Sequence, residues 1–396
     1  MPQSNTLTWE QKLQLVQRFQ AGDEPFAQVC QRFRISRQTG YKWWRRYQSG
    51  GTAALQQRSR RPHRQPQAWP TLWLERIAHW RRRFPRWGPK KLRAALRGQY
   101  PRSRLPALST IGVALQRLGL VQRRPIRRRG PILRARAAGP AQAVNEVWTV
   151  DFKGWFRALN GQRCEPLTVR DLKSRYGLLV HLLPDQKLPR VQWLFGRLFA
   201  RAGLPWRLRS DNGGPFASHG PAGLSRLSAW WISLGIQVEF TRPARPQDNG
   251  SHEQWHRELK ADTTRPAAAS RVAQQARTTR WLRHYNEARP HEALEQTVPA
   301  RHFHHSRRPY RGPQPPRYPA TWKIRRVRSN GEIRWQGRRR FVGEAFVGYR
   351  LGLRRWRRGI WRVYFYHVLL GELHEQDAGS MRPAVYHHRG AKPRKV

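Results

Sequence analysis

At Val144 the chain changes period. Upstream, apolar residues recur every three or four positions, the spacing of amphipathic helices. From Val147 they alternate. Val147, Thr149 and Asp151 fall on one face of a strand, and Trp148, Val150 and Phe152 on the other. The switch predicts helical units followed by a sheet, and it sets a carboxylate inside the first strand. A turn at Gly161 follows, then strands over Leu167 to Arg170 and Arg175 to Leu182. Val191 to Ala202 reads as an amphipathic helix, and Trp206 to Ser210 as a strand that ends at Asp211. Leu224 to Leu234 reads as a helix and Ile236 to Phe240 as a short strand. A Pro/Gly-rich loop, Pro243 to Gly250, leads into a helix from Ser251. Three adjacent strands and then alternating helix and strand describe a mixed α/β sheet with helices on both faces, over residues 144–305.

The helical part divides in two. Thr8 and Gln11 form a capping-box start, with Trp9, Leu13, Val16 and Phe19 on one helical face. A second helix opens near Glu24-Pro25, with Phe26, Cys30 and Phe33 as its buried stripe. Ser36 caps a third, Arg37 to Tyr47. Three short helices ending in a basic, aromatic one read as a helix-turn-helix over residues 6–48. Arg37, Thr39, Tyr41, Lys42, Arg45 and Arg46 are then expected to face a DNA groove. The alternative is a small bundle whose third helix is merely solvated. An Arg-rich stretch, 49–67, either lies along DNA or links domains. Residues 68–122 repeat the pattern. Leu72, Trp73, Ile77 and Trp80 mark one helix, Pro89 to Leu96 another, and Ser109-Thr110 cap a third. Lys90 and Lys91 near the start of the middle helix are candidate DNA contacts. A basic linker, 123–143, follows; its Arg127, Arg128 and Arg129 are expected to track phosphates.

Beyond residue 320 the period is two again. Asn330-Gly331 and Gln336-Gly337 are turn signals, and Ile360 to Tyr366 is a strand. A small β-barrel over 320–376 is expected, with Arg338 to Arg340 and Arg354 to Arg358 on a basic face. Its role is either DNA binding or oligomerisation. Residues 379–396 read as a disordered tail.

Charge decides among partners. Lys+Arg number 78 against 23 Asp+Glu, a formal net charge of +55, so the chain repels itself and seeks a polyanion. No apolar stretch is long enough for a membrane span and the first residues are polar, so DNA is favoured over a membrane surface. Two cysteines, Cys30 and Cys164, lie too far apart in sequence to suggest a disulfide framework or a Cys-rich zinc site. They fit a reducing cytoplasm.

Asp211 sits where a strand meets Asn212-Gly213-Gly214, which is an ordinary turn and also a good place to hold a carboxylate at a strand end. Asp151 and Asp211 together suggest a metal site for phosphoryl transfer, which requires oxygen ligands from separate elements. Candidates for a third acid are Asp248, Glu253 and Glu258. Asp248 reads as a loop or cap residue. Glu253 falls in the first turn of its helix, where the dipole favours a carboxylate. Glu258 is turned roughly 140° away from it at about 100° per residue. His256, Arg257 and Lys260 share the Glu253 face, an arrangement suited to a DNA backbone. Asp171, with Ser174 and Arg175, is expected to order a turn between strands.

The run Asn145-Glu146-Val147-Trp148-Thr149-Val150-Asp151, then Ser210-Asp211-Asn212-Gly213, then Pro246-Gln247-Asp248-Asn249-Gly250-Ser251-His252-Glu253 resembles the core of bacterial insertion-sequence transposases with a retroviral-integrase-type catalytic domain. Tyr285-Asn286-Glu287-Ala288-Arg289-Pro290-His291, then Leu294 and Pro299-Ala300, is similar to the segment that closes that core. Lys42-Trp43 and Trp87-Gly88-Pro89-Lys90-Lys91-Leu92 resemble the family's end-binding region. The resemblance implies a ribonuclease-H-like fold and a triad of Asp151, Asp211 and Glu253. It implies two Mg²⁺, with Mn²⁺ able to substitute, and no nucleotide cofactor. Lys260 matches a basic position that contacts the DNA end. The implied partners are DNA, as element ends and target, and further copies of the chain in a synaptic complex, in a bacterial cytoplasm at the nucleoid. The interval from Asp211 to Glu253 is longer than the family's commonest, and extra residues around Ser218 to Ser225 would absorb the difference. Two other readings compete: a non-catalytic DNA-binding regulator derived from a transposase, and a ribonuclease H acting on hybrids.

Overall fold

The computed structural model describes residues 7–56, 69–121, 141–241, 250–377 and 379–384. Arg127, Arg128, Arg129 and Asp248, most of the two basic linkers and most of the C-terminal tail lie outside the described residues. Two compact units emerge, Met1–Pro70 and Thr71–Val396.

The first unit holds α1 (Trp9–Ala21), α2 (Phe26–Arg32) and α3 (Arg37–Gly50), followed by a 3-10 turn, Thr52–Leu55. The capping box forms as expected: the Gln11 backbone N–H donates to Thr8 Oγ1 at 3.3 Å and the Thr8 N–H to Gln11 Oε1 at 2.9 Å. Leu15, Val16, Val29, Trp43 and Leu55 make the core. Trp9 is not part of it, being 44% exposed, while Lys12 is buried. Its aliphatic stem crosses the core, its Nζ lies 4.2 Å from the Trp43 ring centroid, and the ammonium reaches the Leu55 carbonyl. At Gly40 on α3, a Cβ would come within 2.5 Å of Cys30 Sγ and 2.8 Å of the Phe26 ring. Glycine is therefore what lets α3 lie on α2.

The second unit begins with α4 (Thr71–Arg83), α5 (Pro89–Gln99) and α6 (Leu108–Arg117) around Trp73, Ile77, Leu92, Leu96, Ile111 and Leu115. Leu72 is half exposed, and α6 is capped at Ala107, so Ser109 and Thr110 lie inside the helix instead of capping it.

The sheet of the core comprises β1 (Val147–Phe152), β2 (Phe156–Arg157), β3 (Arg163–Asp171), β4 (Gly177–Leu183), β5 (Arg207–Ser210) and β6 (Gln237–Phe240). β3 pairs antiparallel with both β1 and β4, while β1, β5 and β6 run parallel. Alternation on β1 sorts the two faces. Trp148 and Val150 pack with α7 (Leu188–Ala202) and α8 (Arg226–Ser233), through Val191, Phe195, Phe199 and Trp231. The opposite face is covered by α9 (Gly250–Thr263) and α10 (Arg271–Glu287), where Val180, Trp255, Leu259 and Tyr285 meet. The closing segment is tied to β4 by a reciprocal pair: the Gly177 N–H donates to Asn286 Oδ1 at 2.8 Å, and Asn286 Nδ2 donates to the Gly177 carbonyl at 2.9 Å. Asp171 is buried and accepts from the Asn145 and Ser174 N–H groups, so it orders the β3–β4 turn.

Residues Ser218 to Ser225 form a short closed loop, bridged at Ala217 and Leu224. It leaves the β5 end undisturbed, and Leu224 then packs, with Ala229 and Ile232 of α8, into the C-terminal domain's core. That domain is antiparallel: β13 (Arg382–Pro383), β12 (Val368–His374), β11 (Ile360–Phe365), β10 (Arg350–Arg357) and β7 (Lys323–Arg326) make one sheet. The hairpin β8 (Glu332–Trp335) and β9 (Arg338–Phe341) contributes Ile333 and Trp335 to the shared core. Gln336 and Gly337, both at positive φ, form its turn. Arg340 does not join a basic face. It is 1% exposed and donates to the carbonyls of Gly379 and His374.

Candidate active site

Strand register brings the first two carboxylates together. Val147 pairs with Arg207 and Thr149 with Arg209 across the parallel β1–β5 ladder. Continued by two residues, that register sets Asp151 and Asp211 side by side on one face at the strand ends, where neighbouring strands are about 4.8 Å apart. Asp211 is held by its own turn. Its Oδ1 accepts the Gly213 N–H at 3.1 Å, and Asn212 Nδ2 ties the turn to the Thr241 carbonyl at 2.6 Å. A Cβ on Gly213 would lie 3.2 Å from Asp211 Oδ2, so glycine makes room for the carboxylate. Phe216, almost fully buried between Phe152 and Trp231, anchors the far end of the turn.

Glu253 arrives on the first turn of α9. That turn is pinned to the sheet by two buried histidines. His252 Nδ1 lies 2.8 Å from Thr149 Oγ1, and its Nε2 lies 2.7 Å from Thr168 Oγ1. His256 Nε2 also lies 2.7 Å from Thr168 Oγ1, and its Nδ1 is 3.7 Å from Asp151 Oδ2. Thr168 is the β3 residue paired with Asp151, and its hydroxyl donates to the Asp151 carbonyl at 2.9 Å. Both imidazoles are neutral. Burial pushes His252 well below the ordinary histidine range, and burial, with Lys153 and Arg170, pushes His256 down to about 3.

The acids sense one another. Asp151 is pushed up to about 7, first by burial, then by the charge of Asp211 and to a smaller extent by Glu253. The Phe152 N–H and Lys153 oppose that rise. Glu258 stands apart, pairing with Arg289 on the other side of α9.

The expected DNA contacts among the described residues fall into three groups. Lys260 and Arg257 are exposed on α9, and Lys260 shares a small cavity with Lys153 beside β1. Arg37, Tyr41, Lys42 and Arg45 are exposed on α3, while Thr39 bonds Ser36 and Arg46 stacks over Trp43 at 4.9 Å. His256 departs from expectation. It is 4% exposed and neutral, so it is neither a surface group nor a cation. Lys90 pairs with Glu292. Lys91 lines a cavity of about 450 Å³ with Arg170, Arg175, Arg289 and Glu258, and is pushed down to about 8 by burial and by Arg289. Lys153 and His252 had no place in the sequence reading. Lys153 follows Asp151 on its own face at period two, and His252 directly precedes Glu253; only these spacings could have flagged them.

Comparison with known proteins agrees with this geometry. Residues 11–63 match a helix-turn-helix domain family and residues 39–115 a homeodomain-like domain family. Integrase core domain families match residues 141–246 and 234–299. The insertion element IS407 uncharacterized 31.7 kDa protein of Burkholderia multivorans is 27% identical over 233 residues, 57% of this chain and 78% of that protein. The insertion element IS476 uncharacterized 39.2 kDa protein of Xanthomonas euvesicatoria is 28% identical over 158 residues, 39% of this chain and 43% of that protein. Solved structures similar to this one include the HTLV-2 integrase catalytic core domain in complex with magnesium, at 14% identity and a TM-score of 0.30 over 41% of this chain and 99% of that one. Another is the simian T-cell lymphotropic virus intasome in complex with PP2A regulatory subunit B56 gamma, at 16% identity and a TM-score of 0.36 over 72% of this chain and 91% of that one. Superpositions this loose carry no functional weight. The ordered domain matches carry more: helix-turn-helix families match ahead of integrase core families along this chain. Residues 322–377 match the IS481 family transposase C-terminal domain.

Proposed function

We propose that this chain cuts DNA at the 3′ ends of an insertion element and joins the freed ends to target DNA, with Asp151, Asp211 and Glu253 as its catalytic acids. What carries the reading is that acids from a strand, a strand-end turn and a helix lie close enough to sense one another, the half-buried Asp151 being pushed up to about 7 by burial, Asp211 and Glu253. Crowded carboxylates with raised affinity for a proton are equally ready to be neutralised by hard cations. The donor set fits two Mg²⁺ ions, or Mn²⁺ in their place, and involves no nucleotide. Bound there, the ions would stabilise charge on the scissile phosphate and activate water or a 3′-hydroxyl for attack.

The chain's own residues hold the reactants. Thr149, Thr168 and the two histidines keep the first turn of α9 against the sheet, so Glu253 stays beside the aspartates. Lys260, Arg257 and Lys153 rim the site with positive charge for a DNA backbone. The helix-turn-helix units, 6–48 and 68–122, recognise element ends through Arg37, Tyr41, Lys42 and Arg45, and Arg127 to Arg129 track phosphates. The C-terminal domain, 320–376, adds DNA contacts through the exposed Arg354 to Arg358. Joining two ends to one target calls for at least two copies in a synaptic complex.

The test uses labelled duplexes from the ends of the DNA segment that carries the gene. Wild type should nick and join them in Mg²⁺, whereas D151N, D211N and E253Q should bind them and leave them uncut. Wild-type protein that binds these ends without cutting in Mg²⁺ or Mn²⁺ would instead mark a DNA-binding regulator.

A further inference from the structure

The hydrogen-bond bookkeeping around Thr168 singles out one atom. A threonine hydroxyl has one hydrogen and two lone pairs. Thr168 donates its hydrogen to the Asp151 carbonyl at 2.9 Å, so the two ring nitrogens at 2.7 Å, His252 Nε2 and His256 Nε2, must both be donors. His252 is then complete: with Nε2 donating, its Nδ1 accepts from Thr149 Oγ1 at 2.8 Å, closer to that hydroxyl than the Arg170 carbonyl at 3.4 Å. His256 is not. With its proton on Nε2, its Nδ1 offers a lone pair, and the group facing it is the Asp151 carboxylate at 3.7 Å. A ring nitrogen and a carboxylate oxygen thus face each other 3.7 Å apart, a spacing that one shared cation would bridge.

Building on the reading of Asp151 as a metal ligand, we propose that His256 is a further, nitrogen ligand of the same ion, bound through Nδ1. Ligand atoms about 2.0–2.2 Å from one ion span roughly 3 Å at a right angle and about 4 Å when opposed, so the 3.7 Å gap lies inside the range. Metal-bound histidines characteristically give their second ring N–H to a fixed partner, and Thr168 is that partner. Asp151, His252 and His256 do present ligand atoms within 4.8 Å of one another, but the bonds of His252 leave it the role of a prop. An imidazole in a carboxylate site shifts preference away from Mg²⁺ and toward Mn²⁺. His256 would then make Mn²⁺ the tighter ion.

Mn²⁺ added alone to the full chain provides the test, read by pulsed electron paramagnetic resonance on protein made with natural and with ¹⁵N-labelled histidine. The expected result is a histidine nitrogen coupling in wild type that disappears in H256N, with Mn²⁺ still bound about tenfold more weakly. Because the chain has 15 histidines, D151N serves as the control for binding elsewhere and should abolish the coupled signal. Oxygen-only coordination in wild type, which needs no variant to fold, overturns the inference and leaves the carboxylate site standing. A coupling that persists in H256N also overturns it. Mn²⁺ binding indifferent to D151N overturns the reading of the site as well.

Discussion

Replacing Asp151 with Asn should make the metal-free protein more stable, by an amount that grows with pH. The Asp151 carboxyl is raised from 3.8 to about 7, chiefly by burial and then by Asp211. Between those values the folded protein keeps a proton that the unfolded chain has lost, so rising pH erodes stability through this window. At about 1.4 kcal/mol per unit, a rise of about three units sets a ceiling near 4 kcal/mol above pH 7. The side chain is only 17% exposed, so solvent screens little of it. The amide of D151N carries no charge to bury and can donate to His256 Nδ1. Urea unfolding followed by tryptophan fluorescence, with EDTA present, should show D151N gaining about 1–4 kcal/mol over wild type between pH 4 and pH 8. Mg²⁺ should then close the difference by stabilising wild type alone. An advantage that stays constant across this pH range would refute the argument that Asp151 is held in a crowded, desolvated carboxylate cluster.

Two further outcomes test the scaffold. E258Q should cost about 3–5 kcal/mol, because it leaves the Arg289 guanidinium, 11% exposed, without its carboxylate in a cavity already holding Lys91, Arg170 and Arg175; the shift of the urea midpoint measures it. G40V should overpack the α2–α3 contact at Cys30 and Phe26 and destabilise the first unit by about 1–3 kcal/mol or more, read as faster proteolysis within the first unit.

Local pattern was enough for some of this architecture and not for the rest. The alternation at Val147 to Phe152 exposes both faces of β1, because a strand buried on both sides shows Trp and Val to one layer and Thr and Asp to the other. The Asp211 turn was legible because Asn and Gly are needed whether or not the carboxylate has a task. Glu253 and Glu258 separate cleanly on a helical wheel, and they do so in the structure. Helical phase could not distinguish a neighbour on the solvent side from one on the sheet side, so His256, on the same stripe as Glu253, read as a surface cation. Its burial depends on Thr168, a residue of another strand. Arg340 was misplaced for a related reason, and the buried Lys12 behaves in the same way. A charge in sequence predicts exposure, yet each long side chain finds backbone carbonyls far along the chain. Lys90 finds its acid at Glu292, across the contact between α5 and the core's closing segment, which no local signal encodes.

Under the proposed function, the three acids hold metal against a scissile phosphate. Its most direct test replaces one non-bridging oxygen of that phosphate with sulfur, in duplexes carrying the element end. Sulfur binds Mg²⁺ poorly and softer ions well. Cleavage of the thio-substituted diastereomer whose sulfur faces the ion should therefore fail in Mg²⁺ and return in Mn²⁺ or Cd²⁺, and D151N should cut in neither. Equal cleavage of both diastereomers in Mg²⁺, or a cut that survives in D151N, would contradict the account.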